Sequence, residues 1–214
     1  MVAPTRENIL IQGPAGALEA VVEQRTEQPA YVAVVCHPHP LYQGTMNNKV
    51  VTTLARTYRD DGALVVRFNY RGVGKSEGSY GGGDGEAEDL LAVVAWLRER
   101  YPTLPLQLAA FSFGTYVATK GAVALAEKGQ PARQLLLVAP SVENFDFTPF
   151  TAVQCPVLVV QGDEDEVVSA PAVFAWVAAS PLHPVLLRME GAGHFFHGML
   201  PELAELVRIS RHPQ

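Results

Sequence analysis

Short runs of β-branched and aliphatic residues alternate along this chain with longer stretches whose apolar positions recur every three or four residues. Ala30–His37 is apolar on both faces, which predicts a strand covered on two sides. Asn48–Asp60 follows with Val50, Val51, Leu54, Ala55 and Tyr58 on one side, the spacing of a helix. Ala63–Tyr70 is the next strand. Glu86–Arg100 is the clearest helix: Leu90, Val93, Val94, Leu97 and Tyr101 share one stripe, Asp84 stands before it as a cap, and Pro102 stops it. The pattern repeats with strand Pro105–Ser112 and helix Gly114–Lys128, then strands Arg133–Pro140 and Pro156–Gly162. Helix Pro171–Ala179, strand Pro184–Gly191 and helix Leu200–Ile209 complete it. Ahead of these, Glu7–Gln24 reads as two strands turning at Gly13–Gly16. The alternation implies an α/β fold, a doubly wound and mostly parallel sheet entered through an N-terminal antiparallel hairpin. No repeat, low-complexity tract or linker divides it, so residues 1–214 read as one domain.

Composition narrows the function classes. Apolar residues make up 48% of the 214 positions and charged residues 18%, enough to bury a core. With 16 Lys and Arg against 22 Asp and Glu, the net charge of −6 argues against nucleic acid as a partner. The apolar runs are strand-sized, so no membrane span is expected, and the N-terminal stretch lacks an apolar signal core. Cys36 and Cys155 fit neither a disulfide framework nor a zinc site. These features predict a cytoplasmic protein with no metal and no cofactor; oligomeric state is left open.

In such sheets, chemistry sits in loops at the carboxyl ends of the strands. One of them carries Ala110-Phe111-Ser112-Phe113-Gly114, a tight strand-to-helix turn that lifts the Ser112 hydroxyl above the sheet. The Phe113 N–H, at the start of the next helix, is placed for an oxyanion. Two later strand ends carry Gly162-Asp163-Glu164-Asp165-Glu166 and Gly191-Ala192-Gly193-His194. A serine needs an imidazole to take its proton, and the imidazole needs a carboxylate to fix its tautomer. The order Ser, Asp, His at three strand ends meets that need. His197 competes with His194 but lies a turn further on. Gly72-Val73-Gly74-Lys75-Ser76 resembles a phosphate loop only at its end, since position 69 is Asn69 where that motif requires glycine.

Over nearly its whole length the chain resembles the α/β-hydrolase superfamily, in particular small lidless serine hydrolases related to the dienelactone-hydrolase group. The resemblance rests on His37-Pro38-His39-Pro40-Leu41-Tyr42, on Asn69-Tyr70-Arg71-Gly72-Val73-Gly74-Lys75-Ser76, and on the segments around Ser112, Asp165 and His194. It implies Ser112 as nucleophile, His194 as general base and acid, and Asp165 as the orienting carboxylate. Family spacing selects Asp165 over Asp163, with Asp146 or Glu143 in reserve. It also places the second oxyanion donor in the loop after the first parallel strand. Prolines 38 and 40 have no N–H, which leaves His39, favoured by the resemblance, or Leu41. The sequence departs from the family at Ala110 and at Gln43-Gly44.

Lids in this fold enter between the strand ending at Ala139 and the one starting near Pro156, where only Pro140–Cys155 intervene, a loop with a short helix. No lid domain fits. Tyr42, Phe111 and Phe195 are expected to line an open substrate groove. Phe113 and Phe196 narrow its acyl pocket, while Asn144, Phe145, Phe147 and Phe150 form an apolar lip. The expected substrate is a small-molecule acyl ester or thioester. The alternatives are an idle hydrolase-fold binding module, or the same triad in peptidase, acyltransfer or perhydrolase chemistry.

Overall fold

The computed structural model describes residues 3–151 and 153–210. A single eight-stranded sheet organises them. Its strands are β1 (Thr5–Gly13), β2 (Gly16–Gln24), β3 (Tyr31–Cys36), β4 (Ala63–Phe68), β5 (Leu106–Phe111), β6 (Gln134–Val138), β7 (Val157–Gly162) and β8 (Val185–Met189). They lie side by side in the order β1-β2-β4-β3-β5-β6-β7-β8. The hairpin β1–β2 is antiparallel, β2 joins β4 antiparallel, and all other neighbours are parallel.

The helices are α1 (Lys49–Asp60), α2 (Asp84–Arg100), α3 (Phe113–Glu127), α4 (Ala170–Ala179) and α5 (Leu200–Ser210). Period-two alternation splits each central strand between two cores. In β3, Val32, Val34 and Cys36 face the core that receives Leu90, Val93 and Leu97 of α2 with Val117 and Ala118 of α3. Tyr31, Ala33 and Val35 face the other, built with Leu54 and Tyr58 of α1 and Leu203 and Val207 of α5. Burial on both sides explains the unbroken apolar runs, each such side chain contributing about 1.5–3 kcal/mol.

Three local expectations are corrected. Asp84 lies inside the first turn of α2 and pairs with Lys120 of α3. The carboxylate that secures this helix start is the fully buried Glu86, which accepts from the amides of Gly81 at 2.8 Å and Gly83 at 2.7 Å. Between β6 and β7 the chain forms turns, and no helix occurs there among the described residues. Phe147 and Phe150 are buried in that connection, against each other, Tyr116 and Trp176, so they anchor the loop rather than form a lip.

Candidate active site

Ser112 stands between β5 and α3 with φ 55° and ψ −122°, a conformation that costs a non-glycine residue about 1–3 kcal/mol. The surrounding structure enforces it. The Ser112 N–H donates to the Val138 carbonyl at 2.9 Å, and its own carbonyl accepts from the Thr115 amide at 2.9 Å. Two residues on, α3 passes directly under the β3 loop. A Cβ at Gly114 would lie 2.6 Å from the His37 carbonyl oxygen and 2.8 Å from that of Cys36. Only glycine permits that approach.

His194, 2% exposed, follows β8 and brings Nε2 to 3.1 Å from the Ser112 Oγ. Its Nδ1 lies 2.9 Å from Oδ2 of Asp165, in the loop after β7. A carboxylate there fixes the tautomer: Nδ1 carries the proton and donates, and Nε2 is left to accept from the serine. Burial pushes the Asp165 carboxyl up, but hydrogen bonds from His194 and from the Val168 and Val167 amides outweigh it and hold the group below the usual range. The amide bonds measure 2.7 and 2.9 Å, and the Gln161 Nε2 donates to Oδ2 at 3.0 Å. All three side chains meet at the carboxyl edge of the sheet.

The rival residues lie in other contacts. Asp163 accepts from the Gly191 amide at 2.7 Å and joins the β7 and β8 loops. Asp146 bonds Thr148 two positions away, and Glu143 accepts from the Ser169 amide at 2.8 Å. His197 is exposed and stacks with Phe195 at 5.7 Å. Sequence reasoning missed Glu166, which accepts from the His194 backbone amide at 3.0 Å and so fixes the segment that carries the imidazole. It also missed Gln161, the buried polar residue next to the end of β7.

On the opposite flank, the loop after β3 is built from two imidazoles. His37 is fully buried; its Nε2 accepts from the Tyr70 amide at 3.1 Å, so Nδ1 carries the proton and donates to the Pro38 carbonyl at 2.6 Å. Burial pushes this imidazole down to about 3, against a smaller upward contribution from the Pro38 bond. His39 accepts the Leu41 amide on Nδ1 at 3.2 Å, and its Nε2 lies 3.1 Å from the Tyr80 hydroxyl. The Leu41 N–H is therefore committed within its own loop, which removes it as an oxyanion donor. The amides of His39 and Phe113 have no protein acceptor among the described residues.

The aromatic expectations divide. Tyr42, 82% exposed, and Phe195, 39% exposed, stand at the rim. Phe111, Phe113 and Phe196 are buried and do not line a groove. Phe111 lies under the catalytic edge with its ring 5.0 Å from that of His194, and Phe113 packs 4.7 Å from His39. Phe145, 5.0 Å from Phe113, is the part of the expected lip that reaches this flank. Cys36, buried and pushed up to about 12 by desolvation, is an inert core residue.

A protein from Coxiella burnetii described as an alpha-beta serine hydrolase homologue is 46% identical, with a TM-score of 0.87 and 97% of each chain covered. The chain belongs to the α/β-hydrolase superfamily. A second α/β-hydrolase structure, XC6422 from Xanthomonas campestris, is described as an a/b serine hydrolase without lid. It is 41% identical with a TM-score of 0.86, covering 97% of this chain and 94% of that one. The uncharacterized protein RP471 of Rickettsia prowazekii is 33% identical over 208 residues, 93% of this chain and 86% of its own length. The family model described as serine aminopeptidase, S33, matches residues 44–149. This α/β hydrolase is thus a serine hydrolase of the lidless kind; the dienelactone-hydrolase kinship is not what these relatives' descriptions carry. No helix among its described residues is long and apolar enough to cross a membrane.

Proposed function

We propose that this chain is a single-domain cytoplasmic serine hydrolase that cleaves small acyl esters or thioesters through an acyl-enzyme on Ser112. The observation that supports the reading is the unbroken contact from Ser112 Oγ through both ring nitrogens of His194 to Asp165, at 3.1 and 2.9 Å. In the reaction, Oγ attacks the acyl carbon as its proton passes to His194 Nε2. The Phe113 and His39 amides donate to the oxygen that becomes negative. His194 returns the proton to the leaving alcohol or thiol, and the acyl group stays on Oγ. Water then attacks the acyl-enzyme by the same proton path, and Ser112 is regenerated. Asp165 keeps its charge throughout and stabilises the imidazolium.

The short connection between β6 and β7 supports small substrates: Phe147 and Phe150 are spent on anchoring it, and its described residues form no helix that would enclose a long chain. Labelling with a fluorophosphonate probe, located by mass spectrometry, tests the nucleophile. One adduct on Ser112, absent in His194→Ala, is expected; folded protein that takes no adduct sinks the acyl-enzyme and leaves the idle binding module standing. A chain-length series of esters tests the rest, with kcat/KM expected to fall beyond butyryl. A long-chain optimum contradicts the small-acyl assignment.

A further inference from the structure

Away from the catalytic contacts, the molecule gathers cations in one place. A cavity of about 500 Å³ opens beside the start of α1 and the end of β4, and Arg6, Lys49, Arg56, Arg59 and Arg67 line it against one carboxylate, Glu23. In a chain of net charge −6, this is a concentrated positive field. Glu23 is already shared among three guanidinium groups: Arg67 at 2.9 Å, Arg6 at 3.9 Å and Arg59 at 4.0 Å. Arg59 has a second partner in Asp60 at 2.8 Å. Lys49 and Arg56 are exposed and make no ion pair among the described residues.

Arg67 makes this more than a surface patch. It is 3% exposed, held by the Met46 carbonyl at 2.9 Å, the Asn47 Oδ1 at 2.7 Å and Glu23, with Nε lacking a partner among the described residues. Its buried partner Glu23 offsets that charge, so the excess of positive charge on the cavity comes from the other cations, Lys49 and Arg56 above all. Asn47 adds an amide group to the wall, while the Thr5 and Thr52 hydroxyls beside it already donate to the Gln24 and Lys49 carbonyls. Asn48 caps the first amides of α1, so the helix contributes its dipole and not its donors.

We propose that this cavity binds a phosphate-bearing anion of the pyrophosphate or phosphomonoester class. Guanidinium forks beside the Lys49 ammonium match tetrahedral, multiply charged oxyanions, and the volume lies in the range of about 300–1,000 Å³ usual for small-ligand sites. The site is independent of the acyl chemistry but close to it. Arg67 holds Met46 and Asn47, which continue from the His39–Gly44 loop, and β4 is two strand spacings, roughly 10 Å, from β5. Two sources present this chemistry: a free polyphosphate, and a phosphate carried on the substrate.

Titration calorimetry with pyrophosphate at low and moderate salt tests the site on three proteins. These are the native chain, the double variant Lys49→Glu with Arg56→Glu, and Lys128→Glu as a single charge-reversal control on another surface. All three substituted positions are exposed, so each variant should fold. Saturable binding that weakens at least tenfold in the double variant and persists in Lys128→Glu is expected. No saturable binding, or equal weakening in the control, overturns the proposal. Hydrolysis assays then separate the sources. If Lys49→Glu with Arg56→Glu raises KM for a phosphate-bearing ester and leaves that for an uncharged ester unchanged, the anion is part of the substrate. If KM is unchanged for both while pyrophosphate binding is lost, the anion is a separate ligand.

Discussion

The two flanks of Ser112 use the same side chain in opposite ways. Towards β7 and β8, His194 faces a carboxylate that itself takes hydrogen bonds from two amides and Gln161. Towards β3 and β4, His37 faces an amide donor on one nitrogen and a carbonyl on the other, with no carboxylate in contact and no exposure. In the proposed mechanism one imidazole receives a proton and hands it on. The other is arranged so that neither nitrogen can accept one without breaking a bond. On this proposal an imidazole is a proton carrier on one flank and a rigid two-ended strut on the other, and the difference lies in what each ring nitrogen meets.

The sharpest way to break this contrast is to neutralise the carboxylate. Asp165→Asn should lower kcat by about 10⁴-fold, some 5.5 kcal/mol in the barrier, with the fold intact. Asp146→Ala and Glu143→Ala should stay within a few-fold of the native rate. Steady-state kinetics on all three decides; an equal loss in Asp146→Ala would move the acid to the β6–β7 connection.

The strut should show itself in stability. Because the folded His37 titrates near 3, well under the ordinary 6.5, the unfolded chain takes up a proton below pH 6.5 that the folded chain refuses. Stability is full above that pH and falls as pH drops towards 3, by up to about 1.4 kcal/mol per unit, or roughly 3 kcal/mol between pH 6.5 and 4.5. Urea unfolding across this window should give a clearly shallower slope in His37→Gln. Equal slopes would mean that the loss arises elsewhere.

Gly114→Ala probes where the flanks touch. A methyl group 2.6 Å from the His37 oxygen forces α3 and the β3 loop apart, and a loss of about 2–3 kcal/mol with a lower kcat is expected by thermal unfolding and kinetics. The smallest effect belongs to Tyr80→Phe, which removes the hydroxyl facing His39. It should cost about 1 kcal/mol and change kcat by less than tenfold, measured in the same assays.

Much of this was legible in the sequence because burial on both sheet faces writes continuous apolar strands, and because a strained elbow leaves small residues at fixed offsets from Ser112. What stayed hidden depends on segments that meet only after folding. Glu166 is recognisable as a brace only once the His194 amide arrives from 28 residues away, and Tyr80 only once His39 lies beside it, 41 residues back. The misplaced aromatics have a related cause. Proximity to Ser112 in the chain put Phe111 and Phe113 near the site, but Phe111 ends a strand covered on both faces and Phe113 opens a helix packed on the sheet, so both rings go into the core. The bond made by the Leu41 amide, the alternative to that of His39, was hidden because a backbone donor's availability depends on a side chain, here the His39 ring, turning back on it.

The connection between β6 and β7 also bears on how such a protein can change over generations. Phe147 and Phe150 fasten it to Tyr116 and Trp176, while Thr148 and Pro149 between them are exposed. New residues inserted at that tip would leave both anchors in place. The added entropy cost grows only slowly, by about 0.6 kcal/mol for each doubling of loop length. A cover over the catalytic edge could therefore be acquired in small viable steps, each tolerated before it is useful, without disturbing the sheet that carries the serine.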